Sequence, residues 1–299
     1  MPEPESNMST SQPTNEPNDS DALERSERES EGASDRWRKR VWSAGSYATI
    51  APKYLPMGGR LVARTGVAPG DDVLDIGCGT GTVAITAARR DGNVTGVDIT
   101  PELIERARES ADRAGVGGIS WQTGDATDLP FAANTFDVTL SNLGHMYGDP
   151  PDTATAELLR VTRPGGRIGF TSWTPTSLYP SMAGEIVVVI PPDNHPDFSE
   201  PPFLWGDSGI VRARLGDAVE TLEFETDTVR YPALSPAHFL EQMTQHSGMF
   251  IEALEAVDDG DRPALRDRLI DTIESSFDGR ENAVELEYLC TTATVSHTE

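Results

Sequence analysis

The chain has 299 residues, of which 49 are Asp or Glu and 24 Lys or Arg, for a formal net charge of −25; 37% are hydrophobic and 27 are glycine. With glycine counted in, the apolar share approaches the ~45–50% of globular domains, so collagen, coiled coil and wholly disordered chain are excluded, and the length suits one α/β domain with additions. The best apolar run, 186–190, falls far short of the ~20 residues of a membrane helix, the acidic Pro- and Ser-rich start is no secretory signal, and the charge disfavours a nucleic-acid partner.

Residues 1–34 hold nine acids, two arginines and almost no large apolar side chain. Such a segment cannot offset its ordering entropy and predicts a disordered acidic tail. From 35 to 66 a helical cap is predicted, with Trp37, Val41 and Trp42 at helical spacing. Arg36, Arg38, Lys39 and Arg40 predict a solvated basic face on it. Residues 67–174 alternate strand and helix. Strands are predicted at 72–76, 93–99, 119–123, 136–141 and 167–173. Helices are predicted at 80–90, from 101, and at 153–161, the last closed by the turn Arg163-Pro164-Gly165-Gly166. Thr100 caps the helix that begins with Pro101. That helix places Leu103, Ala107, Ala111 and Ala114 on one face and pairs Glu102 with Arg106 and Glu109 with Arg113 on the other. The alternation implies a parallel sheet with right-handed crossovers. Over 175–299 the pattern loosens to a strand at 219–231, helices at 235–257 and 262–275, and a final strand at 283–295.

The loop after the first strand reads Asp75-Ile76-Gly77-Cys78-Gly79-Thr80-Gly81. Alternate glycines let the backbone turn sharply and let a ligand touch the main chain, and the following helix offers free N–H groups. This is a nucleotide-type cofactor loop. The dinucleotide fingerprint G-x-G-x-x-G needs a glycine at 82, where Thr82 stands. Asp75 would repel a pyrophosphate and welcome an ammonium group. Asp98, ending the second strand, can accept both ribose hydroxyls, and Asp125, in Gly124-Asp125-Ala126, can accept an exocyclic amine. An adenosine carrying an amino acid and no phosphate suits all three acids, which describes S-adenosylmethionine.

The segments VLDIGCGTG (73–81), TGVDIT (95–100), GDATDLPF (124–131), FDVTLSN (136–142) and ELLRVTRPGGRI (157–168) resemble the successive motifs of class I S-adenosylmethionine-dependent methyltransferases. They most resemble the branch similar to ubiquinone/menaquinone-biosynthesis C-methyltransferases. The resemblance covers 40–175 and implies a Rossmann-like α/β fold. Its seven-stranded sheet runs in the order 3-2-1-4-5-7-6, the last strand antiparallel, with helices on both faces. It implies that Asp75 orients the loop or reaches the methionine ammonium through water, and that Gly77, Gly79 and Gly81 approach the methionine part. Asp98 would hold the ribose with Ile99 against the adenine, and Asp125 the adenine amine with Ala126 beside the ring. Ser141 and Asn142 would face the methionine carboxylate or the acceptor.

The residues identify no catalytic base; the candidates are His145, Tyr147 and Tyr47, the last in GSYATIA, similar to a lid tyrosine of the family. Methylation of a base amine would need an Asn/Asp-Pro-Pro-aromatic motif after the fourth strand, where Ser141-Asn142-Leu143-Gly144 stands; Asp149-Pro150-Pro151-Asp152 comes too late. Cys78 and Cys290 are far apart and predict neither disulfide nor metal site. Trp173, Met182, 186–190, Phe203, Leu204, Trp205, Met249 and Phe250 predict an apolar pocket for a small-molecule methyl acceptor. Two other readings are an NAD(P)-dependent oxidoreductase and a non-catalytic S-adenosylmethionine-binding protein. With only Lys39 and Lys53 as lysines and acids throughout, the surface predicts a halophile's cytoplasmic protein, hydrated in molar salt where the Debye length is ~3 Å.

Overall fold

The computed structural model describes residues 33–191, 195 and 198–297. The predicted acidic tail, apart from its last two residues, lies outside them. Among the described residues the strands are β1 (Asp72–Ile76), β2 (Asn93–Asp98), β3 (Ser120–Thr123), β4 (Phe136–Asn142), β5 (Thr162–Trp173), β6 (Val219–Pro232), β7 (Phe277–Asp278) and β8 (Ala283–Val295). They form one sheet in the order β3-β2-β1-β4-β5-β8-β6, with β7 paired to β8. Strands β1 to β5 run parallel, and β8 enters antiparallel between β5 and β6. This is the expected Rossmann-like sheet, with the two-residue β7 added at its end. β1 is covered on both faces: Val73, Leu74 and Ile76 are all buried, and so is Asp75 between them.

The helices are α1 (Ala33–Ser43), α2 (Tyr47–Ile50), α3 (Leu55–Arg64), α4 (Thr82–Ala88), α5 (Pro101–Ala114), α6 (Pro151–Val161), α7 (Leu178–Val187), α8 (Ser208–Leu215), α9 (Pro236–His246), α10 (Gly248–Glu255) and α11 (Arg262–Glu274). Helices α3, α4 and α5 pack in series along the sheet, and α6 and α8 cover β4, β5 and β6. Helix α11 packs on α7 and α9, and α10 joins α9 to α1, forming a second layer beyond the strand ends. No helix among the described residues is long and apolar enough to cross a membrane.

Several local expectations change. The helix predicted at 80–90 starts only at Thr82, because Gly79 and Gly81 hold positive φ of 53° and 83°, which a right-handed helix cannot include. The helix predicted at 235–257 breaks at Ser247, which bridges to Gly45. There the Ser46 N–H donates to the His246 carbonyl at 3.1 Å, so the chain after α1 takes an acceptor the helix end leaves free. The turn at 163–166 lies within β5 as an irregularity, pairing shifting from Phe136–Thr162 to Val138–Arg167. Thr100 makes no side-chain cap; its backbone N–H donates to Asp98 instead. Arg113 pairs with Glu109 as expected, but Arg106 also turns to Glu109, at 3.1 Å.

Candidate active site

The ends of β1, β2 and β4 open on a cavity of about 1000 Å³, walled on its other sides by α1, α2, α7 and α10. It stands at the upper end of the ~300–1,000 Å³ typical of small-molecule sites. Leaving β1, the chain turns through Gly77 at φ 63°. A Cβ there would stand 2.7 Å from the Cα of Gly144, the glycine after β4. The two loops therefore meet backbone to backbone, and this main-chain cradle exists only because both positions are glycine. Gly77 and Gly79 line the cavity. Gly81 does not; its bare Cα makes room for Trp121 and Ala107, which a Cβ would approach to 2.7 and 3.1 Å. Its role is to seat β3's tryptophan, not to approach a ligand.

Asp75 is buried. Its Oδ2 accepts the Ala84 N–H at 2.9 Å, while its Oδ1 is buried with no hydrogen-bond partner among the described residues. Burial pushes its carboxyl up to about 8, opposed by the Ala84 N–H and reinforced by Asp98. Asp98 is also buried and anchors the loop: Oδ2 accepts from Gly79 N–H at 2.8 Å and Oδ1 from Thr100 N–H at 2.9 Å. Burial raises its pKa and these bonds oppose the rise. The carboxylate borders the cavity, as do Ile99, Ala126 and Asn142.

Asp125 has partners the sequence reading did not foresee. Its Oδ1 accepts the Thr127 N–H at 2.9 Å and hydroxyl at 2.8 Å. Arg38 grips both oxygens, at 3.2 and 2.9 Å. Arg38 is 4% exposed, so the solvated basic face is corrected at this position. The guanidinium reaches inward to a carboxylate 87 residues away and fastens α1 over the cavity. Arg40, beside it, pairs with Glu252 of α10.

The three candidate bases divide. Tyr47 and Tyr147 both line the cavity. Burial pushes the Tyr47 phenol up to about 12, the Asp98 charge adding to it, and raises Tyr147 as well, chiefly by burial. Both are protonated donors near neutral pH. His145 does not border the cavity. Its ring packs 4.2 Å from Phe170 and 4.5 Å from Trp205, and burial, with Arg214 nearby, lowers it to about 3. It is a neutral core histidine, which removes it as the base. The histidine bordering the cavity is His195, its Nε2 3.2 Å from the Ile190 carbonyl. Ser141 is likewise corrected. Its hydroxyl donates to the Ile76 carbonyl at 2.6 Å and accepts the His145 N–H at 2.8 Å, tying β4's exit to β1 away from the cavity.

Of the predicted acceptor pocket, Trp173, Ile186, Val187, Ile190, Phe203, Met249 and Phe250 line the cavity. Met182 and Trp205 are core, and Val188, Val189 and Leu204 lie outside the lining. Besides Arg38, which the sequence placed on a solvated face, Trp42, Tyr54, Tyr179, Gly144 and His195 border the cavity with no site role foreseen from sequence. Gly144 alone had a local signal, a glycine two residues past the end of β4. Among the described residues no His, Cys, Asp or Glu cluster is arranged to hold a metal.

Residues 73–166 match the methyltransferase domain family. An uncharacterised protein of Mycobacterium tuberculosis (strain ATCC 25618 / H37Rv) is 33% identical over 261 residues, 85% of this chain and 92% of that protein. The aklanonic acid methyltransferase DauC of Streptomyces sp. (strain C5) is 32% identical over 192 residues, 60% of this chain and 86% of the relative. Among solved structures, the YcgJ protein of Bacillus subtilis shares the fold with a TM-score of 0.53 at 19% identity, over 81% of this chain and 98% of that one.

Proposed function

Because the chain belongs to the class I S-adenosylmethionine-dependent methyltransferases, we propose that it moves the methyl group of S-adenosylmethionine to a small, apolar, quinone-like acceptor. The observation that carries the cofactor assignment is the partnerless, buried Asp75 Oδ1 beside a main-chain cradle. A buried carboxylate oxygen left unpaired is costly, and an ammonium group relieves that cost where a pyrophosphate would add to it. Asp75 holds the methionine ammonium, and Gly77 and Gly79 present main chain to the methionine part. Asp98 accepts from the ribose with the lone pairs its two backbone donors leave open. Ile99 and Ala126 flank the adenine, and Asp125 accepts its amine beside the Arg38 fork.

When bound, the cofactor supplies an electrophilic methyl on a sulfonium whose charge disappears during transfer. The protein's contribution is positioning and exclusion of water. Trp173, Phe203, Met249 and Phe250 give the cavity an apolar side, which supports an apolar acceptor. The relative named for aklanonic acid supports a small molecule. The −25 charge with two lysines supports a cytoplasmic protein adapted to molar salt.

The test is calorimetric titration with S-adenosylhomocysteine, followed by incubation with methyl-labelled cofactor and a panel of quinones, hydroquinones and cell-extract small molecules, read by mass spectrometry. Cofactor binding with label on an apolar small molecule is expected. Binding without turnover on any fraction would favour the non-catalytic reading, and label appearing only in nucleic acid or protein would reject the acceptor class.

A further inference from the structure

We propose that Tyr54 and Tyr179 form a hydroxyl pair that binds an oxygen of the methyl acceptor, so that the acceptor is a flat apolar ring bearing a phenolic hydroxyl or a carbonyl. This rests on the methyltransferase reading above and adds the feature by which the acceptor is selected.

Tyr54 closes the 3-10 turn Ala51–Tyr54, and Tyr179 stands in the first turn of α7. Both border the cavity. Their hydroxyl oxygens lie 2.5 Å apart, and the Tyr179 hydroxyl donates onward to the Met243 Sδ at 3.2 Å. The rings are held by aromatic neighbours. Tyr54 meets Trp173 at 5.7 Å and Tyr231 at 6.1 Å, and Tyr179 meets Trp173 at 4.9 Å and Phe250 at 6.0 Å. The hydroxyls are therefore fixed in place before any ligand arrives, as a recognition pair must be.

The pair is incompletely satisfied. Two phenols bring two protons; one serves the bond between them and the other ends on a thioether, a weak acceptor. A buried hydroxyl gains from a stronger partner, and an oxygen of a ligand in the cavity supplies one. Burial holds both phenols above their ordinary range, so they remain donors through neutral pH. Their place in the fold separates them from the cofactor residues. They stand on Trp173 of β5 and Tyr231 of β6, whereas Asp75 and Asp98 come from β1 and β2. Trp173, Phe250 and Ile186 around them are apolar and suit a ring.

The experiment compares binding of 1-naphthol and naphthalene to the full-length protein, with and without saturating S-adenosylhomocysteine, by quenching of tryptophan fluorescence. The parent is expected to favour 1-naphthol by about tenfold, the effect of one good hydrogen bond. Tyr179→Phe and Tyr54→Phe keep the rings and their packing. In Tyr179→Phe the preference should fall below about twofold with naphthalene affinity unchanged, and in Tyr54→Phe it should fall part of the way. S-adenosylhomocysteine affinity should be the same in all three proteins. Equal affinity of the parent for the two probes, failure of 1-naphthol to bind, or a preference that survives in both variants overturns the proposal. Failure of the parent to bind S-adenosylhomocysteine would strike the methyltransferase reading instead, and the naphthol comparison without cofactor still decides the role of the tyrosines.

Discussion

Replacing Asp75 by Asn isolates the charge of one buried carboxylate. In the folded protein that carboxyl titrates at about 8 against an ordinary 3.8, with burial the main cause, the Ala84 N–H opposing and Asp98 adding. Folding therefore takes up a proton at pH values between these limits. The contribution of the protonated group to stability is complete below pH ~4 and is lost progressively as pH rises through about 8. Asparagine keeps an oxygen for the Ala84 N–H and cannot ionise. Asp75→Asn should raise the melting temperature of the free protein, by an amount that grows with pH and levels off above about 8. Cofactor binding should move the other way. If the ammonium needs the ionised carboxylate, the competent fraction is about 1% at pH 6 and about half at pH 8, so apparent affinity should rise roughly fiftyfold across that interval. At pH 7 binding should release close to one proton. Calorimetric titration of S-adenosylhomocysteine at three pH values, in two buffers of different ionisation heat, reads both quantities. Asp75→Asn should bind weakly and without that pH slope. A parent whose affinity is flat from pH 6 to 8, or a variant that keeps the parental slope, refutes the reasoning.

Asp98→Ala removes the acceptor of two backbone donors as well as the proposed ribose ligand; with bonds to charged groups worth ~1.5–3 kcal/mol each, stability and S-adenosylhomocysteine affinity should fall together, affinity by more than about tenfold. Asp98→Asn should fall between, and a folded alanine variant with parental affinity would reject the ribose assignment. Arg38→Ala cuts the grip of α1 on Asp125; hydrogen exchange should show the amides of α1 losing protection while β1 and β4 keep theirs, and Arg38→Lys should restore only part, since a lysine cannot reproduce the two-pronged contact. The net charge of −25 predicts a melting temperature that climbs between ~0.1 and 2 M potassium chloride as self-repulsion is screened; a flat or falling curve in differential scanning calorimetry would count against salt adaptation.

The residues proposed for the cofactor could be named from sequence because they lie in contiguous segments. Asp75 and the glycines after it occupy one loop, and Asp98 and Ile99 the end of the next strand; the strand–helix alternation implies a parallel sheet, and the strand order comes with the family resemblance. What the same segments concealed is that several of these residues are committed to the protein itself. Asp98 ties down Gly79, Gly81 admits Trp121, and Ser141 holds two loops together. A polar residue at a strand end looks the same in sequence whether its hydrogen bonds go to a ligand or to the backbone. The burial of His145 was equally hidden, since Phe170 and Trp205 enclose it from distant segments. So was the inward turn of Arg38, because the Asp125 carboxylate that draws it in lies 87 residues along the chain.

The two halves of the cavity differ in how changes would propagate. The half proposed for the cofactor is tied into the sheet's own hydrogen bonding: Asp75 receives the first turn of α4 and Asp98 fixes the loop between β1 and α4. A substitution there acts on the fold and the ligand together. The half proposed for the acceptor is assembled from side chains on α2, α7, α10 and the turn at Tyr54, resting on Trp173 of β5 and joined by ring contacts and the Tyr54–Tyr179 bond, not by main-chain strand pairing. Exchanging one of those rings alters the shape and polarity offered to an acceptor while leaving every strand pair intact. Acceptor choice can therefore change by small replacements over an unaltered cofactor loop, and that is the physical reason the loop declares its class in sequence while the acceptor does not.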